Sequence, residues 1–226
     1  MVREFHLPAG GVIGVKAVRH HGEEFGLPHL GQAFHSGWRD EFSTPGECLA
    51  AYVRQQPVHF SEALLADALR VSAASLAEWS FEALWESSTR RSMSLRREGT
   101  TGRDWLHRII DTSSSRCDDK RADHPEIPAE CPYMPLAGAV LDEISIIAPL
   151  ILEQVETSSI YVTSGIVTAL SSCAAGVSPD LAFRYLLLAL PHNISITRSQ
   201  FDRYVHLGRM FDYGSWVVGR HEHLVQ

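Results

Sequence analysis

The chain has 226 residues, of which 45% are hydrophobic and 21% are charged. This length and composition suit a soluble globular protein of one large or two small domains, and they exclude a disordered chain. The formal net charge of −7 argues against a protein that coats nucleic acid indiscriminately, so any contact with a polyanion must be local. The first residues lack the continuous apolar region of a signal peptide, and we predict a cytoplasmic protein.

Two other classes of protein are disfavoured by the residue pattern. The four cysteines include no CxxC pair, which argues against a zinc finger or a disulfide scaffold. Residues 157–179 carry no charge, but serine, threonine and glycine interrupt them. A membrane span needs about 20 predominantly apolar residues. We therefore predict a buried helix or strand pair there, and no contact with a membrane.

The first half of the chain begins irregularly and then turns helical. Residues 10–18, GGVIGVKAV, alternate loosely, which is compatible with a strand, whereas glycine and proline interrupt residues 19–38. A short helix is predicted from about Gly46 and is closed by Pro57. Further helices are predicted from Ser61 and from Ser75 to about Ser87. Ser75 and Glu78 have the spacing of a capping box, which would supply partners for amides at a helix start.

The second half is more apolar and has clear helix signals. The polar stretch 112–135 is predicted as a linker or loop between an N-terminal region, 1–111, and an apolar helical region, 136–226, although the two can also form one domain. An amphipathic helix is predicted over 136–156, with a kink at Pro149. Ser178 and Thr197 are predicted to cap two later helices. The fold class predicted is mainly α, a multi-helix globular bundle with a small β element near the N-terminus.

One short segment carries a motif. Residues 61–80 resemble a helix-turn-helix DNA-binding segment of the repressor type, through Leu65, Ala66, Leu69, Val71, Ser72 and Leu76. The resemblance implies that Ser72 caps a recognition helix that enters the major groove. Arg70 stands where the turn usually has glycine, and the reading face would offer mainly alanines and Glu78. An ordinary corner of a helical core is therefore the alternative.

Arginines are concentrated directly after this segment. Between residues 90 and 108, six arginines against Glu98 and Asp104 leave a net charge of +4. The planar guanidinium fork matches the oxygens of a phosphate group, so we predict nucleic-acid contacts there. The alternative is that these arginines pair with the acidic stretch 118–126. The predicted nucleic-acid-binding residues are Arg90, Arg91, Arg96, Arg97, Arg103, Arg108, Arg198 and Arg203; the last two can also be solvated residues of a surface helix.

No pattern for catalysis or cofactor binding stands out, and we predict no cofactor, no metal ligand and no catalytic residue. There is no nucleophile elbow, Walker sequence or dinucleotide-binding glycine pattern. The leading hypothesis is a non-enzymatic regulatory protein, active in transcription regulation, that contacts nucleic acid and associates with a protein partner or as a homodimer. One alternative is an acidic interaction subunit, such as an adaptor, immunity or assembly component. Another is a histidine-dependent metal hydrolase, built on His20 and His21 or on His221 and His223.

Overall fold

The structure, a computed structural model, describes residues 24–118, 131–156, 165–190 and 194–226. Most of these residues are in α-helices, which confirms the predicted multi-helix bundle. Within the described ranges, extended pairing is limited to a single parallel bridge between Ile196 and Val225. The strand predicted over residues 10–18 lies outside the described residues.

The described residues contain eleven α-helices. They are α1 (Gly26–Ala33), α2 (Trp38–Glu41), α3 (Pro45–Gln55), α4 (Val58–Ala73), α5 (Glu78–Ser88), α6 (Gly102–Asp118), α7 (Ala137–Glu156), α8 (Ile166–Gly176), α9 (Pro179–Ala189), α10 (Arg198–Met210) and α11 (Ser215–Gly219). Single 3₁₀ turns precede α7 at Met134–Leu136 and follow α11 at Glu222–Leu224.

Several helix starts follow from local side-chain chemistry. The hydroxyl of Ser178 accepts a hydrogen bond from the amide of Leu181 at 3.3 Å, and that of Thr197 accepts one from Gln200 at 3.1 Å. Both predicted caps are therefore confirmed. The helix predicted to run to residue 156 is α7, and it continues through Pro149.

Other helices were missed or misplaced by local signals. α1 lies where glycine and proline predicted an interruption, because Pro28 falls in its first turn, where a missing amide costs no helical hydrogen bond. α4 begins at Val58, three residues before the predicted Ser61, whose side chain is buried. α6 runs on to Asp118, so the polar stretch predicted as a loop from residue 112 begins as helix.

The interior is organised around α5. This helix packs against α1, α6, α8 and α9, while α4 packs against α6. Trp85 of α5 meets Trp105 of α6 edge-to-face, with ring centroids 5.4 Å apart, and Phe34 packs on both rings. Apolar side chains from before residue 112 and after residue 135 share one core. The division of the chain at 112–135 stays a prediction.

One helix is unusually apolar. The segment Met134–Glu153 is long and apolar enough to cross a membrane by length and composition, with a mean hydropathy of 1.7. Its inner side contributes Val140, Ile144 and Ile147 to the core, whereas Ile146 and Leu152 are 52% and 47% exposed. Length and composition alone do not distinguish a membrane span from a core helix.

Candidate nucleic-acid interface

The helical corner differs in its boundaries from the helix-turn-helix resemblance. α4 continues through Val71 and Ser72 to Ala73, so Ser72 lies inside the first helix and caps nothing. The second helix, α5, begins at Glu78 with no side-chain hydrogen bond at its cap. The predicted capping box of Ser75 and Glu78 is therefore wrong. The reason is tertiary, since the Glu78 carboxylate instead accepts a hydrogen bond of 2.9 Å from the amide of Gly102, where α6 begins.

The helix that would read bases is largely an interior helix. Seven of the eleven residues of α5 are buried, including Phe81, Leu84 and Trp85. A recognition helix must present a free side to the major groove. The largest exposed side chain of α5 is Trp79, which is 50% exposed and stands at the start of the helix. α5 therefore lacks the broad exposed face with which a recognition helix contacts bases.

The turn after α5 has an unusual backbone. The amide of Arg91 donates to the carbonyl of Glu86 at 2.8 Å, and the amide of Arg90 donates to that of Ser87 at 3.1 Å. These two bonds form a Schellman motif, in which the residue at the left-handed position is usually glycine. Here Arg90 and Arg91 have φ values of 50° and 60°. Each costs of order 1 kcal/mol, so the surrounding structure must hold them in place.

Buried anchors hold this turn. Met93 and Leu95 are almost fully buried, and the indole N–H of Trp85 donates to the Met93 sulfur at 2.8 Å. The indole of Trp38 donates to the carbonyl of Ser92 at 3.2 Å, and the hydroxyl of Thr89 donates to that of Met93 at 3.1 Å. The arginines between residues 90 and 97 therefore extend from a backbone that is fixed at several points.

All six arginines of this region are exposed, and we call them the arginine surface. They are Arg90, Arg91, Arg96, Arg97, Arg103 and Arg108. Among the residues that the structure describes, no carboxylate forms an ion pair with Arg91, Arg96 or Arg97. Glu98, which directly follows Arg97 in sequence, pairs with Arg39 instead. Of the acidic stretch 118–126, predicted as an alternative partner, no side chain is among those described.

The other two exposed arginines of this region belong to α6. Arg103 follows the helix start at Gly102, and Arg108 comes more than a turn later. The guanidinium carbon of Arg108 is 5.9 Å from the ring centre of Trp105. A Cβ placed on Gly46 would lie 3.9 Å from Nη1 of Arg108, which shows that this side chain leans over the start of α3.

Carboxylates border the arginine surface along α5. Glu78, Glu82 and Glu86 are spaced four residues apart and therefore share one side of the helix. Burial and the charges of Glu78 and Glu86 raise the pKa of Glu82, whereas the nearby Arg96 lowers it. The Glu86 carboxylate accepts a hydrogen bond of 2.8 Å from Ser94. Glu82 therefore lies close enough to Arg96 for the two charges to act on each other.

The two C-terminal candidates already have partners. Arg198 pairs with Glu222 at 3.2 Å on the surface. Nη2 of Arg203 donates to Glu143 at 3.2 Å, and this hydrogen-bonded carboxylate is the main reason that the pKa of Arg203 is raised. Because Glu143 is buried, the Arg203 pair ties α10 to α7. We leave both arginines out of the arginine surface.

Sequence reasoning missed a buried polar cluster that is centred on Arg184. Arg184 on α9 is buried and bonds the carboxylates of Asp67 on α4 and Asp180 one turn before it. The hydroxyl of Tyr213 donates to Asp180 at 2.5 Å. The spacing of Asp180 and Arg184 within an otherwise apolar helix was the only sequence signal of this cluster. Burial of the charges indicates a structural role.

The metal-hydrolase alternative gains no ligand set in the described part of the chain. There, no group of three or more histidine, cysteine or acidic side chains could hold a metal ion. His221 is buried, and Nδ1 of His223 lies 2.7 Å from the carbonyl of Arg220. His20 and His21 lie outside the described residues.

No family model, curated protein or solved structure matches this chain. No relative therefore supplies catalytic or binding residues that could be transferred to it.

Proposed function

We propose that this protein is a non-enzymatic, cytoplasmic regulatory protein that contacts the phosphate backbone of nucleic acid through the arginine surface. One observation carries the proposal. Arg91, Arg96 and Arg97 are exposed on an anchored turn, and no described carboxylate pairs with them. A guanidinium held in this way can bind phosphate oxygens without a large loss of backbone freedom.

The proposed contact is with the phosphate backbone of the nucleic acid, so it depends little on the base sequence. Base reading requires side chains aimed into a groove, whereas phosphate contacts position a protein without regard to sequence. Most of α5 is buried, so this helix is not available to enter a major groove. The net charge of −7 and the carboxylates along α5 keep the contact local. We therefore expect moderate affinity that falls steeply with salt.

The test removes the three arginines of the anchored turn together. The variant Arg91→Ala/Arg96→Ala/Arg97→Ala is compared with the unaltered protein by fluorescence anisotropy, using labelled duplex and single-stranded DNA and RNA at several salt concentrations. The slope of log affinity against log salt is negative, and each lost phosphate contact makes it less negative by about 0.9 on duplex DNA. Three lost contacts should therefore flatten the slope by about 2.7.

A matched control separates the site from overall charge. The variant Arg54→Ala/Arg198→Ala/Arg209→Ala removes the same charge from exposed positions elsewhere, and it should retain the unaltered slope within about one unit. The proposal fails if the unaltered protein binds none of the nucleic acids. It also fails if both triple variants lose affinity and slope equally.

The exposed side of α7 favours a second candidate, the interaction subunit. Ile146 and Leu152 lie on this side and are each about half exposed, whereas apolar side chains of this size are usually buried. Light scattering over a range of protein concentrations tests self-association, because one chain has a mass of 25.1 kDa. A higher mass that reverts in Ile146→Glu/Leu152→Glu supports this candidate, and a constant mass of one chain rejects self-association through α7.

A further inference from the structure

A polar cleft is lined by residues that do not include any of the arginine surface. It has a volume of about 290 Å³ and opens between α1, the end of α2 and α3. This volume is close to the lower limit of ordinary small-ligand pockets, about 300 Å³. The polar residues that line the cleft are His29, Gln32, Glu41, Tyr52, Gln55 and Gln56.

The floor of the cleft is held in a fixed arrangement. The buried hydroxyl of Tyr52 lies 2.8 Å from Nδ1 of His29, and the two rings meet edge-to-face with centroids 5.5 Å apart. Phe60 also contacts the ring of His29, with the two ring centroids 5.5 Å apart. Because these contacts lie within the protein, the floor is already formed before a ligand arrives.

The residues that line the cleft include a negative charge and no permanent positive charge. None of the residues that line the cleft is lysine or arginine, whereas Glu41 contributes a carboxylate with a side chain that is 59% exposed. Nε2 of His35 lies 3.5 Å from the Glu41 carboxylate and carries charge only when protonated. The cleft therefore disfavours anions and offers a charge partner to cations.

Neighbouring acids act on two titratable groups of the lining. Burial and then the charge of Glu41 raise the pKa of the Cys48 thiol to about 11. Burial and then the charges of Asp67 and Glu24 raise the pKa of the Tyr52 phenol. Both groups therefore stay protonated at neutral pH. The cleft offers hydrogen bonds and no thiolate nucleophile, which indicates binding and not covalent chemistry.

We propose that this cleft binds a small organic cation that carries an amine or guanidinium group. Glu41 provides the charge partner, the carboxamide oxygens of Gln55 and Gln56 accept N–H hydrogen bonds, and the ring of Phe42 covers the alkyl part of the ligand. The Tyr52 and His29 pair forms the polar floor. This inference does not depend on the arginine surface or on nucleic acid.

Agmatine and putrescine are suitable probes, with the dianion succinate as the ligand of opposite charge. Isothermal titration calorimetry should show saturable binding of at least one cation, with movement of the ring signals of His29 in the NMR spectrum. Glu41→Lys should weaken this binding at least about tenfold, since it replaces an attractive charge with a repulsive one. Succinate should not bind.

Asp142→Lys is the matched control. It makes the same charge change at an exposed position of α7, and it should change affinity less than about twofold, because the salt of an ordinary buffer screens distant charges. The inference is overturned if neither cation binds saturably below about 10 mM. Equal weakening by the two lysine variants, or succinate binding as tightly as the cations, would overturn it as well.

Discussion

Arg184 donates two parallel hydrogen bonds of 2.9 Å, one to each carboxylate oxygen of Asp67, and both side chains are buried. The pair joins α9 to α4 across 117 positions of sequence. Arg184 also donates to Asp180 at 3.1 Å and to the carbonyl of Phe25 at 2.9 Å. Burial opposes the guanidinium charge, but Asp180 and Asp67 outweigh it and raise the pKa of Arg184.

Removal of the Asp67 charge should destabilise the fold strongly. Asp67→Asn leaves Arg184 buried with a weakened partner, and breaking a buried ion pair typically costs about 3–5 kcal/mol. Urea denaturation measures the free energy of unfolding. As a control, Glu222→Gln in the exposed pair with Arg198 should cost at most about 1 kcal/mol. Equal losses in the two variants would contradict a structural role for the buried pair.

Gly26→Ala should be costly because of both conformation and space. Gly26 has a φ of +70°, and a Cβ there would lie 2.6 Å from Nη1 of Arg184 and even closer to Asp67. Strain and overpacking together predict a loss of about 2–5 kcal/mol in unfolding free energy. Gly138 of α7 has open space around it, so Gly138→Ala should instead add about 0.5–1 kcal/mol. Thermal unfolding of both variants tests the contrast, which is refuted if Gly26→Ala melts like the unaltered protein.

Met93→Ala should release the turn that carries the arginines. The buried Met93 side chain accepts the indole hydrogen bond of Trp85, and truncation of a buried methionine costs about 2–5 kcal/mol. Amide hydrogen exchange over residues 89–101 should accelerate as the anchored backbone loosens. Met210, which is 37% exposed, is the control, and Met210→Ala should cost less than about 1 kcal/mol. Unchanged exchange in Met93→Ala would show that the remaining anchors suffice.

The raised pKa of Glu82 predicts a pH-dependent effect on stability. Burial and the charges of Glu78 and Glu86 raise this pKa in the folded state, so the folded chain holds the proton more tightly than the unfolded chain. Glu82 therefore contributes stability below its unfolded value of about 4.3, and the contribution is lost as pH rises through the higher folded pKa. At neutral pH, Glu82→Gln should add a few tenths of a kcal/mol by relieving repulsion.

Chemical denaturation at about pH 7 and again below about pH 4 checks this sign. The gain from Glu82→Gln should be present at the higher pH and absent at the lower one, where the carboxyl is already protonated. Asp142→Asn removes an exposed acid of α7 and should have little effect at either pH. A gain of the same size at both pH values would show that repulsion between the carboxylates is not its cause.

Local sequence was enough to determine the helical class and several helix ends. The hydroxyls of Ser178 and Thr197 cap α9 and α10 as predicted, because a cap forms between residues that are three positions apart. Pro57 was predicted to close α3, and the helix ends at Gln55. Proline disfavours helical backbone in the residue before it, here Gln56. The concentration of arginine after residue 90 is likewise visible in the sequence.

Contacts between residues that are distant in sequence determined the polar pairs of the interior and the cleft. Glu78 bonds the amide of Gly102 and not that of Ser75, and Asp67 finds Arg184 only when α4 and α9 pack together. The cleft beside Tyr52 likewise exists only because α1 lies against α3. Local patterns report which partners a side chain can accept, whereas packing selects one of them, because a buried polar group must be satisfied by whatever the neighbouring helices bring.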